Sequence, residues 1–406
     1  MTNEHRDPSD PNEAPARRGF SRRELFRGAA AIGAGAGLAG LVPGVAGAAT
    51  SKFPLGAAAK ASSKPVPITM WHSMTSNNLT TLQNLTAQFN AQQSTVRVNL
   101  VNQTSYTDTL TAYTTALSAG TSELPDVVQW ETEFIQILID SRSVVPVSQA
   151  IAADHYSVSD FVPATINYFK VDGSQWGMPF NISNEVLYYD ENAFTKAGLD
   201  PAHPPKTLAQ LRSAAQKIVS SGTAKYGMSL KFDPSTFELL MALGDQTIVN
   251  KSNGRSGRAT AATFDNSLGR SIFNWWGSML TSKLAQGTSN TAFDNLFAIG
   301  SGIAPMTFDT SAALGTILQV LQSGQYANIK LGVGPIPIPT AKVVKGSGVF
   351  VGGAGLYIVD KPSPATQDAA WEWIKFLVSP ASQATWAVGT GYVPIRKSAV
   401  FTPQIV

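Results

Sequence analysis

The 406-residue chain contains no cysteine. That excludes disulfides, thiolate metal sites, a cysteine nucleophile and a lipid-modified cysteine anchor. It suits an oxidising compartment, where a spare thiol is a hazard. Charge is also scarce. Asp, Glu, Lys and Arg make up 14% of the residues, against a usual quarter, which argues against a disordered or polyampholytic chain. The 30 basic and 27 acidic residues leave a formal net charge of +3, too mild for a nucleic-acid footprint. Histidine occurs only as His5, His72, His155 and His203, too scattered for a His-rich metal site. Catalytic signatures are missing as well: no Gly-x-Ser-x-Gly elbow, no Walker phosphate loop and no His-Glu-x-x-His. Neither a metal nor a cofactor is expected. What the chain does have is a 43% hydrophobic content, enough for a sizeable core.

The N-terminus reads as an address. Residues 1–20 are polar, and Ser21-Arg22-Arg23-Glu24-Leu25-Phe26-Arg27 follows. Residues 28–42 carry no charge, and Ala46-Gly47-Ala48 offers a small-x-small cleavage site. These are the three regions of an export signal over residues 1–48. The paired arginines before a Gly/Ala-rich core resemble a twin-arginine signal. The apolar stretch is too short and too glycine-rich to span a membrane well. Gly35-x-Gly37-x-x-Gly40 matches a dinucleotide fingerprint, but no strand precedes it. Residues 49–65, rich in Ala, Ser, Lys and Pro, read as a flexible leader, so the fold is expected to begin near Val66.

From there strands and helices alternate. Val66, Ile68 and Met70 alternate as in a strand, and Leu79, Leu82, Leu85 and Phe89 recur at helical spacing after Ser76 or Asn77 as cap. A second strand pattern (Val96, Val98, Leu100) and a second helical stripe (Tyr106, Leu110, Tyr113, Leu117, stopped by Gly120) precede a short buried strand at 126–130. This order implies parallel strands covered by helices. Further strands are predicted at 186–189, 225–230, 331–338 and 349–359, with helices at 208–218, 268–284 and 365–378. Asp172-Gly173 marks a turn. The alternation is too long for one small sheet. Pro/Gly joints near 178–181 and 334–339 predict two α/β lobes.

Glu131 and Glu133 lie two apart and would share a face of a strand, which resembles a glycosidase pair and leaves a secreted carbohydrate hydrolase as the alternative function. A surface adhesion module is a third reading. Trp71, Tyr106, Trp130, Trp176, Tyr188, Tyr189 and Tyr392 fall near loops or strand ends. As a group they hint at sugar or polyol binding, although each ring alone fits a core. His72, at a strand end, is a candidate ligand contact.

Several segments together resemble a known family. They are Trp71-His72-Ser73-Met74, residues 125–131, and Met178-Pro179-Phe180-Asn181 through Val186-Leu187-Tyr188-Tyr189 to Lys196-Ala197-Gly198-Leu199-Asp200-Pro201 and Pro204-Pro205-Lys206-Thr207. Gly352-Gly353 with Leu356 and Thr390-Gly391-Tyr392-Val393-Pro394-Ile395 complete the set. The chain is similar over residues 66–398 to the extracellular solute-binding proteins of ABC importers, carbohydrate type, and within them to the glycerol-3-phosphate branch. The resemblance implies a two-lobed α/β periplasmic-binding fold with the ligand between hinge-linked lobes. Residues 66–177 and 336–388 would form lobe 1, and 178–335 and 389–406 lobe 2, with crossings near 178–182, 334–339 and 386–391. It implies a non-enzymatic, exported monomer that delivers a small solute to membrane permease subunits: glycerol-3-phosphate, a glycerophosphodiester or a sugar.

Carried over by motif, the implied ligand-binding residues are Tyr106, Glu131, Ser183, Thr310, Ser311, Gly353 and Tyr392. Trp130, Asp309 and Arg396 are further candidates beside His72. A helix N-terminus at Thr310-Ser311 would suit a phosphate. There are departures: Leu208 stands where the branch has a tryptophan, and Asp309 adds negative charge next to Thr310. The branch also continues past Thr-Gly-Tyr with a helical segment carrying a phosphate-binding arginine that has no counterpart here. Either the sequence is a truncated product, or the ligand is not anionic; if the chain is complete, a neutral or cation-bearing ligand is expected over a free phosphate monoester.

Overall fold

The computed structural model describes residues 53–58 and 64–405, apart from 232, 290–293, 325 and 327. The export signal expected over residues 1–48 lies outside the described residues. Part of the leader is described, and it is docked rather than flexible. Phe53 and Ala58 are buried in the first core, and the carboxylate of buried Asp368 accepts from the backbone N–H of Gly56 and Ala58 at 3.0 and 2.9 Å.

Thirteen strands are described: β1 (Val66–His72), β2 (Val96–Asn102), β3 (Val127–Glu131), β4 (Val144–Val145), β5 (Lys170–Val171), β6 (Ser174–Gln175), β7 (Met178–Ser183), β8 (Glu185–Asp190), β9 (Met228–Lys231), β10 (Ala285–Thr288), β11 (Met306–Thr310), β12 (Leu331–Pro335) and β13 (Gly352–Val359). The first sheet runs β2-β1-β3-β13-β4, and β7 also pairs with β13. The second runs β10-β9-β11-β8-β12. β5 and β6 form a small hairpin across the turn at Asp172-Gly173. As the βαβ order requires, β1 is parallel to β2 and β3, whereas β13 is antiparallel to β3, β4 and β7. Each sheet has its own apolar core. Trp130, Trp371, Trp373 and Trp386 lie in the first, and Leu211, Ile218, Ile272 and Trp276 in the second.

Local chemistry accounts for the elements. Val66, Ile68 and Met70 are buried on one face of β1. Leu82, Leu85 and Phe89 bury the stripe of the helix Ser76–Gln92. Its cap position is Thr75, one residue before the expected pair, and no side chain bonds there. The helix Tyr106–Ala119 is capped by Ser105, whose hydroxyl accepts from Asp108 N–H, and it ends at Gly120 with φ 118°.

The crossings differ from expectation. β7 stays in the first sheet, so the chain enters the second only at Asn184, the one residue between β7 and β8. Ile336, and more loosely Ile338 and Phe350, still pack on the second core, so the return falls just before β13 rather than at 334–339. The third crossing near 386–391 is not made. Tyr392 and Ile395 are buried in the first core, and Val393 and Lys397 N–H donate to the carbonyls of Ile182 and Asp160 at 2.8 and 2.9 Å. Apolar burial holds the tail from Tyr392 on lobe 1.

At the centre of the first sheet Gly353 has φ +97°, and a Cβ there would run into the Asn181 carbonyl oxygen. Only glycine lets β13 pass β7 this closely. Gly353→Ala is expected to lower unfolding stability by about 1–3 kcal/mol through backbone strain, read as a fall in the urea midpoint at unchanged m-value.

Candidate functional site

The two sheets point their strand ends at a shared cavity of about 220 Å³. Lobe 1 supplies Tyr106 at the start of its helix, Glu131 at the end of β3, Glu133 in the 3₁₀ turn that follows, and Ser183 at the end of β7. Gly352, Gly353 and Tyr392 complete that side. Lobe 2 supplies Glu185, Lys231, Asp233, Ser235, Thr236, Asp309 and Thr310, with Leu239, Phe308 and Phe350 as apolar walls.

A buried polar chain supports the lobe 1 wall. Gln129 Oε1 accepts from Ser73 N–H at 2.8 Å, and Gln129 Nε2 donates to Asn181 Oδ1 at 2.7 Å. Asn181 Nδ2 donates to the Tyr106 hydroxyl at 2.8 Å. Gln129 and Asn181 are both fully buried, so every one of these bonds is costly to break. The Tyr392 ring stacks on Trp386 with centroids 5.6 Å apart.

The cavity is acidic. Burial, reinforced by Glu133 and Asp233, pushes the Glu131 carboxyl up to about 8. Glu133 is raised by burial and by Asp233. Glu185 is pushed up to about 7 by burial, although Thr236 and Ser235 donate hydroxyl bonds to it at 3.0 and 3.1 Å. Nearby Glu238 is raised to about 7 by burial, Glu133 and Asp233. Lys231 is the one basic side chain among the described lining residues, and its Nζ sits 3.6 Å from Asp233 Oδ2.

Of the residues picked from sequence, the structure brings Tyr106, Glu131, Ser183, Thr310, Gly353 and Tyr392 to this cavity, with Asp309 beside them. Ser311 stands at the crossing instead of on the wall. Its N–H donates to the Asn184 carbonyl at 2.8 Å and its hydroxyl accepts from Asn184 N–H at 3.5 Å. The expected anion site at this turn is occupied by the protein itself. Thr310 N–H is bonded to Asp309 Oδ1 at 2.7 Å, and Ala312 N–H to Thr310 Oγ1 at 3.2 Å.

Three candidates lie elsewhere. His72 is buried, accepts from Met74 N–H through Nδ1 at 3.2 Å, and is lowered to about 4 by burial. Trp130 is a core ring edge-on to Tyr113, with Nε1 donating to the Phe134 carbonyl at 2.8 Å. Arg396 is buried over the Phe161 ring, donates to the Val378 carbonyl at 2.8 Å, and reaches the Tyr156 hydroxyl and Asp160. It is a structural cation of lobe 1. Leu208 belongs to the second core, so its identity adds or removes no face of the cavity.

Sequence reading missed Glu185, Asp233, Ser235 and Thr236. Asp233-Pro234-Ser235 carried a signal, since Asp before Pro starts a helix, and Asp233 does cap the helix Pro234–Leu243 by accepting from Ser235 N–H at 3.0 Å.

Known proteins share this fold. A solved structure of UgpB from Mycobacterium tuberculosis in complex with glycerophosphocholine superposes with TM-score 0.71 at 19% identity, covering 84% of this chain and 82% of that one. The GacH receptor of Streptomyces glaucescens, solved unliganded and with acarbose, gives TM-score 0.69 at 23% identity over the same shares. In sequence, the sn-glycerol-3-phosphate-binding periplasmic protein UgpB of Yersinia pestis is 28% identical over 340 residues, 82% of this chain and 74% of the relative. The Escherichia coli O1:K1 protein of the same name is 28% identical over 358 residues, 86% and 79% of the two chains. The two relatives matched in sequence are named as periplasmic binding proteins. The model of a bacterial extracellular solute-binding protein matches residues 84–406. With its two sheets facing one cavity, the chain belongs to the bacterial extracellular solute-binding protein family.

Proposed function

We propose that this protein captures a polyhydroxylated solute of zero or positive head-group charge and hands it to the permease subunits of an ABC importer. The observation that carries the reading is the acidity of the cavity. Glu131, Glu133, Glu185, Asp233 and Asp309 line it, against Lys231 already beside Asp233. Carboxylates and hydroxyls bond sugar or glycerol OH groups, and Phe308, Phe350 and Tyr106 offer apolar faces to their C–H edges. Tyr106, Glu131, Ser183, Thr310, Gly353 and Tyr392 are the proposed contacts of lobe 1 and the crossing, and Asp233 and Glu185 those of lobe 2.

A free phosphate dianion would come up against Asp233 and Asp309, with the backbone N–H donors at Thr310 and Ala312 already spent, an expensive placement. A glycerophosphodiester whose head group carries a quaternary ammonium balances its own charge and places a cation among the carboxylates. A neutral sugar is the second reading, favoured by the aromatic walls. Calorimetry with glycerol-3-phosphate, glycerophosphocholine and maltose is expected to show glycerol-3-phosphate weaker by about a hundredfold than the better of the other two, the scale of an unpaired buried charge. Glycerol-3-phosphate binding as tightly as either would refute the charge argument.

The raised carboxyls also set a pH dependence. A carboxyl with a higher pKa in the folded chain keeps its proton after the unfolded chain has lost it. Stability therefore falls as pH rises between the ordinary 4.5 and the folded value of about 8 for Glu131. Melting temperatures of the ligand-free protein should drop from pH 5.5 to pH 8.5. Glu131→Gln, which cannot ionise, should make that drop shallower; an equal slope in the variant would mean that Glu131 does not titrate in this window.

Export rests on the sequence of residues 21–48. We infer a twin-arginine route, with removal of the signal and no lipid anchor, and a monomeric product. Replacing Arg22 and Arg23 together by Lys is expected to leave unprocessed precursor in the cytoplasm, scored by fractionation and immunoblot. Normal secretion of that double variant would exclude the route.

A further inference from the structure

Between the helices Pro234–Leu243 and Ser267–Thr281, residues 245–263 leave the second lobe as a loop that supports itself. Val249 bridges to Ala262, and Asn250 N–H donates to the Ala261 carbonyl at 2.9 Å. The Asn250 side chain accepts from Thr260 N–H at 2.9 Å, and Asn253 Oδ1 accepts from Ile248 and Val249 N–H at 2.8 and 3.1 Å. Lys251, Ser252 and Asn253 all hold φ between 53° and 57°, a left-handed stretch that non-glycine residues rarely adopt. So constrained, the loop presents two arginines to the other lobe. Arg255 Nη1 donates to the Tyr168 carbonyl at 2.9 Å, with its guanidinium 4.5 Å over the Tyr168 ring. Arg258 Nη2 meets Asp140 Oδ2 at 2.7 Å. Asp140 and Tyr168 lie on the lobe 1 helices Ile135–Ser141 and Pro163–Tyr168.

Arg255, Arg258 and Tyr168 line a cavity that adjoins the ligand cavity at Glu133. This second cavity, of about 530 Å³, is walled also by Glu133 and Gln136 of lobe 1 and by Asn253 of lobe 2. Glu133 lines both cavities. The Tyr168 hydroxyl donates to the carbonyl of Thr132, the residue between Glu131 and Glu133. We propose that residues 245–263 are an interlobe clasp whose Arg258–Asp140 pair and Arg255–Tyr168 contact bias the protein towards the closed cleft before ligand arrives. Exposed ion pairs and cation–π contacts are individually weak and are screened by salt. That weakness suits a fastener that must open on each cycle of capture and release.

The test uses the absence of cysteine. Ser118→Cys and Ser213→Cys, exposed positions on lobe 1 and lobe 2, accept a donor and an acceptor dye without competing thiols. Single-molecule energy transfer on ligand-free protein at low salt then reads the open-to-closed ratio. Asp140→Arg alone and Arg258→Asp alone are each expected to raise that ratio about 3- to 10-fold, the effect of turning a weak attraction into repulsion. The two substitutions together should restore the original ratio. Both side chains are solvent-accessible, so folding is preserved, and thermal melts check this. An unchanged ratio in both single variants overturns the clasp. A shift that the double variant fails to restore overturns it too, because the pair itself would then not be the fastener.

Discussion

The structure hangs on the place where the chain passes directly from one sheet into the other. β7 ends at Ser183 in the first sheet and β8 begins at Glu185 in the second, so Asn184 alone separates them. Ser311 N–H and hydroxyl take up the Asn184 carbonyl and N–H, leaving the crossing no free backbone group to solvate. With the crossing fixed, the residues on either side of it, Ser183 and Glu185, must both face the gap between lobes. β13 then returns along β7, and the contact of Gly353 with Asn181 sets how closely the two strands run.

The gap so formed combines two kinds of wall. On lobe 1 a hydrogen-bonded chain from Ser73 through Gln129 and Asn181 to Tyr106 gives a rigid surface with its polar groups already oriented. Such a surface loses little entropy on binding. On lobe 2 carboxyls crowd together near Lys231, and burial pushes Glu185 and Glu238 up to about 7.

Much of this could be read from the chain before folding. The period-two run at Val66, Ile68 and Met70 and the helical stripe ending at Phe89 have strong, local causes, and both elements formed where their patterns lie. Tyr106, Glu131, Ser183 and Tyr392 came from family motifs and share one cavity. What stayed illegible was burial and long-range pairing. His72, Trp130 and Arg396 have suitable chemistry, yet each is spent inside lobe 1. Glu185 gains its meaning from Thr236, 51 residues away, and no local pattern announces such a pair. The crossings were misplaced because Pro and Gly mark bends in the chain, whereas lobe membership is decided by which core buries the next apolar side chain.

The position of β13 has a consequence for how the protein is made. It lies in the middle of the first sheet, with β3 on one side and β4 and β7 on the other. Yet it is encoded after the whole second sheet, whose strands occupy one uninterrupted stretch from Glu185 to Pro335. As the chain leaves the ribosome, the second lobe has all its strands first, while the first lobe waits with an open seam between β3 and β7. Closing that seam requires contacts of large sequence separation, which are slow to form. Until then the unpaired edges of β3 and β7 are exposed to other chains. The interval between synthesis of β7 and β13 is therefore when this protein most needs a chaperone.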